Sequence, residues 1–76
     1  MHYQAIHIDP ETMGGTPVFA GTRVPVKALF DYLDGGDNIA TFIDDFPSVS
    51  AEQIHQVLEM ARKMITSDKV LHENFA

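Results

Sequence analysis

Side chains that could do chemistry are few and scattered along this chain of 76 residues. Its four histidines are His2, His7, His55 and His72. No two of them stand at the helical i, i+4 spacing of a metal pair, and the chain has no cysteine to supply a thiolate or a disulfide. The serines fall at predicted helix caps, so no nucleophile–base–acid set can be assembled. We therefore expect no catalytic residue, no metal and no cofactor, and a protein that is not an enzyme.

Acidic side chains are the charged groups that cluster. Five Lys or Arg stand against eleven Asp or Glu, which gives a formal net charge of −6. Residues 1–30 and residues 53–76 each balance to zero, so the stretch 31–52 carries the whole −6 and contains no Lys or Arg. Its acids are Asp31, Asp34, Asp37, Asp44, Asp45 and Glu52. Such a surface repels phosphate and anionic lipid and suits a basic partner, for which Asp44 and Asp45 are candidate contacts.

Gly14, Gly15 and Arg23 raise the question of a phosphate site. The spacing does not favour one, because there is no GxxxxGK[ST] loop and no strand–turn–helix unit around the glycines. We expect Gly21 to serve a turn that needs a positive φ. We expect Arg23 to tie the N-terminal region to a carboxylate, with Asp9, Asp31 and Asp34 as the alternatives.

The elements that must position these groups begin with a β pattern. Ile6 and Ile8 alternate with His7, residues 14–17 mark a turn, and Val18–Phe19 form a second apolar pair. This order predicts a short β-hairpin or paired arm. Because an isolated hairpin is marginal in water, it must lie either on the helices of its own chain or on a second protomer.

Two amphipathic helices are predicted next. The first begins at Pro25 and ends at Gly35–Gly36, where a glycine can take the left-handed conformation. The second begins at Asp37–Asn38 and ends before Pro47, since a proline disfavours helix in the residue before it. The apolar stripe of the first is Val26, Leu29, Phe30 and Leu33, and that of the second is Ile39, Phe42, Ile43 and Phe46.

The third helix has the clearest start. Ser50 and Gln53 stand at capping-box spacing, and Val49 and Ile54 occupy the two positions of a hydrophobic staple. The helix should run to about Thr66. Its predicted buried stripe is Ile54, Val57, Leu58, Ala61 and Ile65, with Met64 beside it.

Beyond the third helix, residues 67–76 form either a further short helix or a tail, which separates them from a domain at 1–66. Val70, Leu71 and Phe75 are apolar there. They either pack back on the domain or bind in a groove of a partner, so they are candidate partner contacts.

A hairpin followed by three helices, the last two joined by three residues, predicts a mainly α fold with a helix-turn-helix core, or else an ordinary three-helix bundle. In a helix-turn-helix, the third helix would read DNA. The candidate contacts are Ser48, Ser50, Gln53, Gln56, Arg62 and Lys63. Ser50 and Gln53 have a competing role as caps, and the acidic stretch occupies the same region, which disfavours DNA binding by this domain alone.

The sequence resembles the DUF433 family over residues 6–65. The matching motifs are Ile8-Asp9-Pro10, residues 14–18, residues 21–26 with Gly21, Arg23 and Pro25, then Gly36, Phe46-Pro47 and residues 50–58. The resemblance implies a winged or hairpin-bearing helix-turn-helix domain, commonly dimeric. For part of the family it implies the antitoxin of a VapBC-like toxin–antitoxin pair, in which the toxin is a PIN-like ribonuclease.

We therefore expect an antitoxin-like homodimer that binds and neutralises a PIN-like toxin, with autoregulatory binding to operator DNA as an added role. The alternatives are a stand-alone helix-turn-helix transcriptional regulator and a dimeric scaffold. The longest apolar runs are a few residues, far short of a membrane span, and the first residues lack the order of a signal peptide. A cytoplasmic location is the expectation.

Overall fold

The computed structural model describes residues 5–11 and 13–67. Two strands, β1 (Ile6–His7) and β2 (Val18–Phe19), flank a single 3-10 turn at Met13–Gly15. Three helices follow, α1 (Val26–Asp34), α2 (Ile39–Asp45) and α3 (Ala51–Ile65). The predicted fold class, mainly helical with an N-terminal hairpin before three helices, is confirmed.

The hairpin lies on the helices of its own chain. β1 and β2 are antiparallel, with Ile6 opposite Phe19 and His7 opposite Val18. Phe19 is fully buried in the core beside residues of all three helices. On the other side of β2 the chain returns, so that Val18 bridges Pro25 and β2 is the central segment. The turn between them contains Gly21 at a φ of +77°, as expected for a position that favours glycine.

Local signals set the ends of α1 and α2. Pro25 is the N-cap of α1, one residue before the helix, with extended backbone angles. At the other end Gly36 takes the left-handed conformation, with a φ of +92°, and the next N–H, of Asp37, donates to the carbonyl of Tyr32. Asn38 caps α2 because its Oδ1 accepts from the N–H of Thr41 at 2.8 Å. α2 ends at Asp45, ahead of the Phe46-Pro47 pair.

The predicted capping box starts α3. Ser50 Oγ accepts from the N–H of Gln53 at 3.1 Å, and Gln53 Oε1 accepts from the N–H of Ser50 at 3.0 Å. Val49 and Ile54, the residues of the predicted staple, are both buried. The helix ends at Ile65 with Thr66 as its C-cap. Of the described part of the chain, no helix is long and apolar enough to cross a membrane.

Phe42 stands at the centre of the core. Its ring is fully buried and contacts Phe19 of the hairpin, Tyr32 of α1 and Phe46 at the end of α2, with centroid distances of 6.0, 5.1 and 4.9 Å. Such tilted and edge-on pairs stabilise beyond the area they bury. The other buried core residues are Ala5, Leu29, Val49, Ile54 and Val57. One aromatic ring therefore joins the hairpin to two helices.

The burial predicted for the apolar stripe of α3 is wrong at Ile65, and two apolar residues of the predicted helices are exposed as well. Phe30 of α1 is 40% exposed, and Met64 and Ile65 at the end of α3 are 65% and 63% exposed. The sequence pattern identifies the apolar side of a helix, but burial also needs an element opposite it. Ile54 and Val57 lie in the core cluster, whereas Met64 and Ile65 lie outside it. The α3 stripe therefore extends past the core.

Replacing Phe42 by Ala should cost about 3–5 kcal/mol, since it leaves a cavity where three rings meet. A chain of this length has about 4–11 kcal/mol in total, so the variant should lose a large part of its stability and unfold at a much lower urea concentration. Phe30→Ala is the matched control and should cost less than about 1 kcal/mol, because that ring is partly in water. Urea unfolding followed by circular dichroism measures both; equal losses would contradict this account of the core.

Candidate functional site

The acidic surface comprises the six carboxylates of residues 31–52, and all six are exposed. It runs from the last turn of α1, through the α1–α2 connection and α2, to the first turn of α3. Its members are Asp31, Asp34, Asp37, Asp44, Asp45 and Glu52. α1 packs against α2, so residues that the sequence separates by a dozen positions lie on neighbouring elements. The predicted partner contacts Asp44 and Asp45 belong to this surface.

Most of these acids stand at the unfavourable end of a helix. Asp31 and Asp34 are in the last turn of α1, and Asp44 and Asp45 are in the last turn of α2, and neither last turn holds a basic residue. The carbonyl end of a helix carries partial negative charge, so each added carboxylate costs about 0.3–1 kcal/mol at an exposed site. Carboxylates and helix ends therefore add to the same negative potential.

Local partners hold two of the six carboxylates. Lys27 Nζ lies 2.7 Å from Asp31 Oδ2, one helical turn away on α1. The hydroxyl of Tyr32 donates to Asp45 Oδ2 at 2.6 Å and so links α1 to the end of α2. Tyr32 also packs edge-on against Phe42, which fixes the direction of the hydroxyl. Asp45 is therefore the acid whose position depends directly on the core.

The hydrogen bond to Asp45 raises the pKa of Tyr32 above its ordinary value, with desolvation and the negative charges of Asp45 and Asp37 acting in the same direction. The neutral phenol is thus the form that the folded chain favours. Its contribution to stability is present below the unfolded pKa of about 10 and is lost as the pH rises through the higher folded pKa.

An absorbance titration at alkaline pH should show Tyr32 ionising above the ordinary tyrosine pKa of about 10. Subtracting the curve of Tyr32→Phe from that of the unchanged protein isolates Tyr32. Asp45→Asn should move its pKa back toward about 10, since the carboxylate charge is removed. A pKa that does not respond to Asp45→Asn would contradict the contact.

The predicted DNA-reading residues extend from the turn before α3 to its last turn, and several of them have partners within the chain. Ser50 and Gln53 form the capping box, Ser48 is exposed and Gln56 is half-buried. Arg62 binds Glu59 through two bonds, Nε to Oε1 at 3.0 Å and Nη2 to Oε2 at 2.8 Å. Arg62 lies about 18 Å along the helix from Ser50, at 1.5 Å per residue. The structure therefore does not bring Arg62 and Lys63 together with the first turn of α3.

Gln53 has a second contact that the sequence does not indicate. Its Nε2 donates to the carbonyl of Ala20 at 2.9 Å, a bond between residues 33 positions apart. The side chain amide therefore caps α3 with its oxygen and fastens the turn after β2 with its nitrogen. Both halves of the amide are occupied, which makes Gln53 a structural residue in this fold.

Replacing Gln53 by Glu keeps its contact with Ser50 and removes its contact with Ala20. The carboxylate keeps the acceptor for the Ser50 N–H and suits a helix N-terminus, but it loses the donor to Ala20 and sets an oxygen against that carbonyl. We expect a loss of about 1–3 kcal/mol, which is several degrees or more in Tm for a domain of this size. Gln56→Glu is the control with the same charge change. Similar Tm values for the two variants would exclude the tie to the hairpin.

The expected role of Arg23 is wrong with respect to Asp31 and Asp34. Arg23 is exposed, and Asp31 is paired with Lys27. Asp31 pairs with Lys27 because the two residues are one turn apart on the same helix, so the contact does not depend on how other elements pack. The connection that was expected of Arg23 is made by backbone bonds and by Gln53.

Val70, Leu71 and Phe75, the apolar partner candidates, lie outside the described residues. Within the described ranges, no three His, Asp or Glu side chains come together as a metal site, and no polar side chain is buried. The acidic surface is accordingly an exposed electrostatic feature on an apolar core.

The model of one protein family, described as a protein of unknown function (DUF433), matches residues 6–61, most of the chain. The chain belongs to the DUF433 family. Among curated proteins, the uncharacterized protein y4eO of Sinorhizobium fredii (strain NBRC 101917 / NGR234) is 40% identical over 45 residues, or 59% of this chain. The chain covers 20% of that relative's length. No solved structure matches the chain described here. The acidic stretch 31–52 lies wholly inside the DUF433 match, whereas residues 62–76 lie beyond it.

Proposed function

We propose that this DUF433 domain is an antitoxin-like component of a type II, VapBC-like toxin–antitoxin pair that binds and neutralises a PIN-like ribonuclease. The observation that carries the proposal is the acidic surface, with six exposed carboxylates and no Lys or Arg between residues 31 and 52. A ribonuclease must hold the phosphate backbone of its substrate, and Lys and Arg do that work. A surface with this charge pattern is complementary to such a groove.

In this mechanism the acidic surface occupies the RNA-binding groove of the toxin and excludes RNA. Opposite potentials would steer the two proteins together and speed their association. Asp45 meets the partner already oriented, because the Tyr32 hydroxyl holds it at 2.6 Å. A group that is fixed before binding loses less entropy on binding. Val70, Leu71 and Phe75 would add apolar contacts to the toxin.

The cost of these acids to the fold supports a role in binding. Asp34 and Asp44 stand in the last turns of α1 and α2, where the helix dipole opposes a negative charge, whereas Asp31 and Asp45 in the same turns have Lys27 and Tyr32 as partners. Residues that lower stability while pointing into solvent are typical of function held at the expense of stability.

On this proposal the protein is a cytoplasmic homodimer and is not an enzyme. Binding to its own operator through α3, in a helix-turn-helix arrangement, is an additional role. A stand-alone transcriptional regulator is less favoured by the geometry, because Ser50 and Gln53 are engaged in the cap and in the bond to Ala20. Ser48 and Gln56 are then the candidates for base contacts.

Asp34→Asn combined with Asp44→Asn tests the proposal, with the product of the gene beside this one as the partner if that product is a PIN-like ribonuclease. We expect the double variant to bind it about tenfold more weakly at low salt, roughly 1.4 kcal/mol, and to lose rescue of growth when the two are co-expressed. Its Tm should stay equal or rise by a few degrees, since two unfavourable charges leave helix C-termini. Titration calorimetry at two salt concentrations and thermal unfolding measure these quantities.

The matched control is Glu11→Gln, which removes an exposed acid outside the acidic surface. It should leave binding and rescue unchanged. A ribonuclease that does not bind the unchanged protein, or an affinity that Glu11→Gln lowers as much as the double variant does, counts against the proposal.

A further inference from the structure

Phe30 of α1 is an aromatic residue at the edge of the acidic surface. Its side chain is 40% exposed, whereas Phe19 and Phe42 are fully buried and Tyr32 is half-buried. Successive residues of a helix are about 100° apart, so Phe30 lies about 100° around α1 from the fully buried Leu29. The ring therefore lies where the buried side of α1 meets its exposed side, and part of it is open to a partner.

Asp34 stands one helical turn after Phe30, at the i+4 position of α1. Cβ atoms at this spacing are about 5–6 Å apart, and the side chains of a helix lean toward its N-terminus. The exposed carboxylate of Asp34 therefore leans toward the ring of Phe30. We name these two side chains the Phe30–Asp34 pair.

The Phe30–Asp34 pair is open to a cation from another molecule. Within the described ranges no side chain is bonded to the carboxylate of Asp34. The cation of α1 itself is Lys27, and its Nζ lies 2.7 Å from Asp31 Oδ2, so its charge is directed to another carboxylate. No Lys or Arg lies between residues 31 and 52. A cation for this pair therefore comes from a partner and not from the neighbouring stretch of the chain.

We infer that the Phe30–Asp34 pair binds an arginine of the basic partner and selects it over lysine. The guanidinium of arginine is planar and weakly hydrated, so it can stack on an aromatic face while its N–H groups bind a carboxylate. The ammonium of lysine is a compact and strongly hydrated point charge, which makes the two contacts together less well. The inference rests on the proposed function for the basic partner and adds to it the type of residue that the partner must present.

The other acids of the acidic surface lack an aromatic residue at the same spacing. Four positions before Asp31, Asp37, Asp44, Asp45 and Glu52 stand Lys27, Leu33, Ala40, Thr41 and Ser48. Asp45 does contact an aromatic residue, but it does so through the Tyr32 hydroxyl, and the Tyr32 ring packs on Phe42. These carboxylates attract either kind of cation by charge. Selection of arginine is therefore expected at the Phe30–Asp34 pair.

Two peptides of equal charge, octaarginine and octalysine, test the selection on the purified full chain with no ribonuclease present. Titration calorimetry at low salt gives the ratio of the octalysine to the octaarginine dissociation constant. We expect the unchanged protein to bind octaarginine more tightly. Phe30→Leu should lower the ratio about two- to fivefold, which is the share of a cation–π contact at an exposed site. Ile8→Ala is the matched control, because Ile8 is 59% exposed and lies outside the acidic surface; it should leave the ratio unchanged.

Asp34→Asn and Asp44→Asn distinguish the position of a carboxylate from its charge. Each variant removes one exposed carboxylate of the acidic surface, so each should weaken the binding of both peptides at low salt. Asp34→Asn should also lower the ratio, whereas Asp44→Asn should not. Thermal unfolding of all four variants checks that the fold is intact.

A ratio that Phe30→Leu leaves unchanged overturns the inference, and so does a ratio that Asp44→Asn lowers as much as Asp34→Asn does. A protein that binds neither peptide, or binds both with equal affinity, overturns it as well. Failure of the proposed function is a separate result, because it is measured with the ribonuclease and not with the peptides.

Discussion

The contact of the Phe42 ring with Phe19, Tyr32 and Phe46 is the interaction on which the rest of the structure depends. It joins the hairpin, α1 and α2 at one point, and a chain this short has few other places to bury apolar area. Through Tyr32 the same contact reaches the surface, because the ring that packs on Phe42 also holds Asp45. The packing around Phe42 therefore also determines where Asp45 lies on the acidic surface.

The negative charge of the domain lowers its stability. A chain of 76 residues has about 4–11 kcal/mol of stability, and the carboxylates at the ends of α1 and α2 reduce it. Anything that binds only the folded chain restores stability by mass action. A basic partner on the acidic surface would do so. The proposed assembly would thus compensate for the cost that the acids impose.

The features that the sequence predicts are those that depend on residues close together along the chain. The caps at Asn38 and Ser50, the turn at Gly36 and the charge of residues 31–52 follow from spacing or counting. The Tyr32–Asp45 and Gln53–Ala20 bonds do not, because they join residues 13 and 33 positions apart whose approach is set by packing. The burial predicted for Ile65 is wrong for the same reason, since periodicity identifies the apolar side of a helix without showing what covers it.

The contacts that hold the fold together are made by uncharged groups. Within the described residues every buried side chain is apolar, and the long-range tie at Gln53 is made by an uncharged amide. The charges lie outside this framework. Apart from Asp45, which Tyr32 links to Phe42, the carboxylates of the acidic surface can therefore be replaced one at a time without disturbing the core. A lineage of such domains is free to exchange one partner for another while the scaffold stays the same.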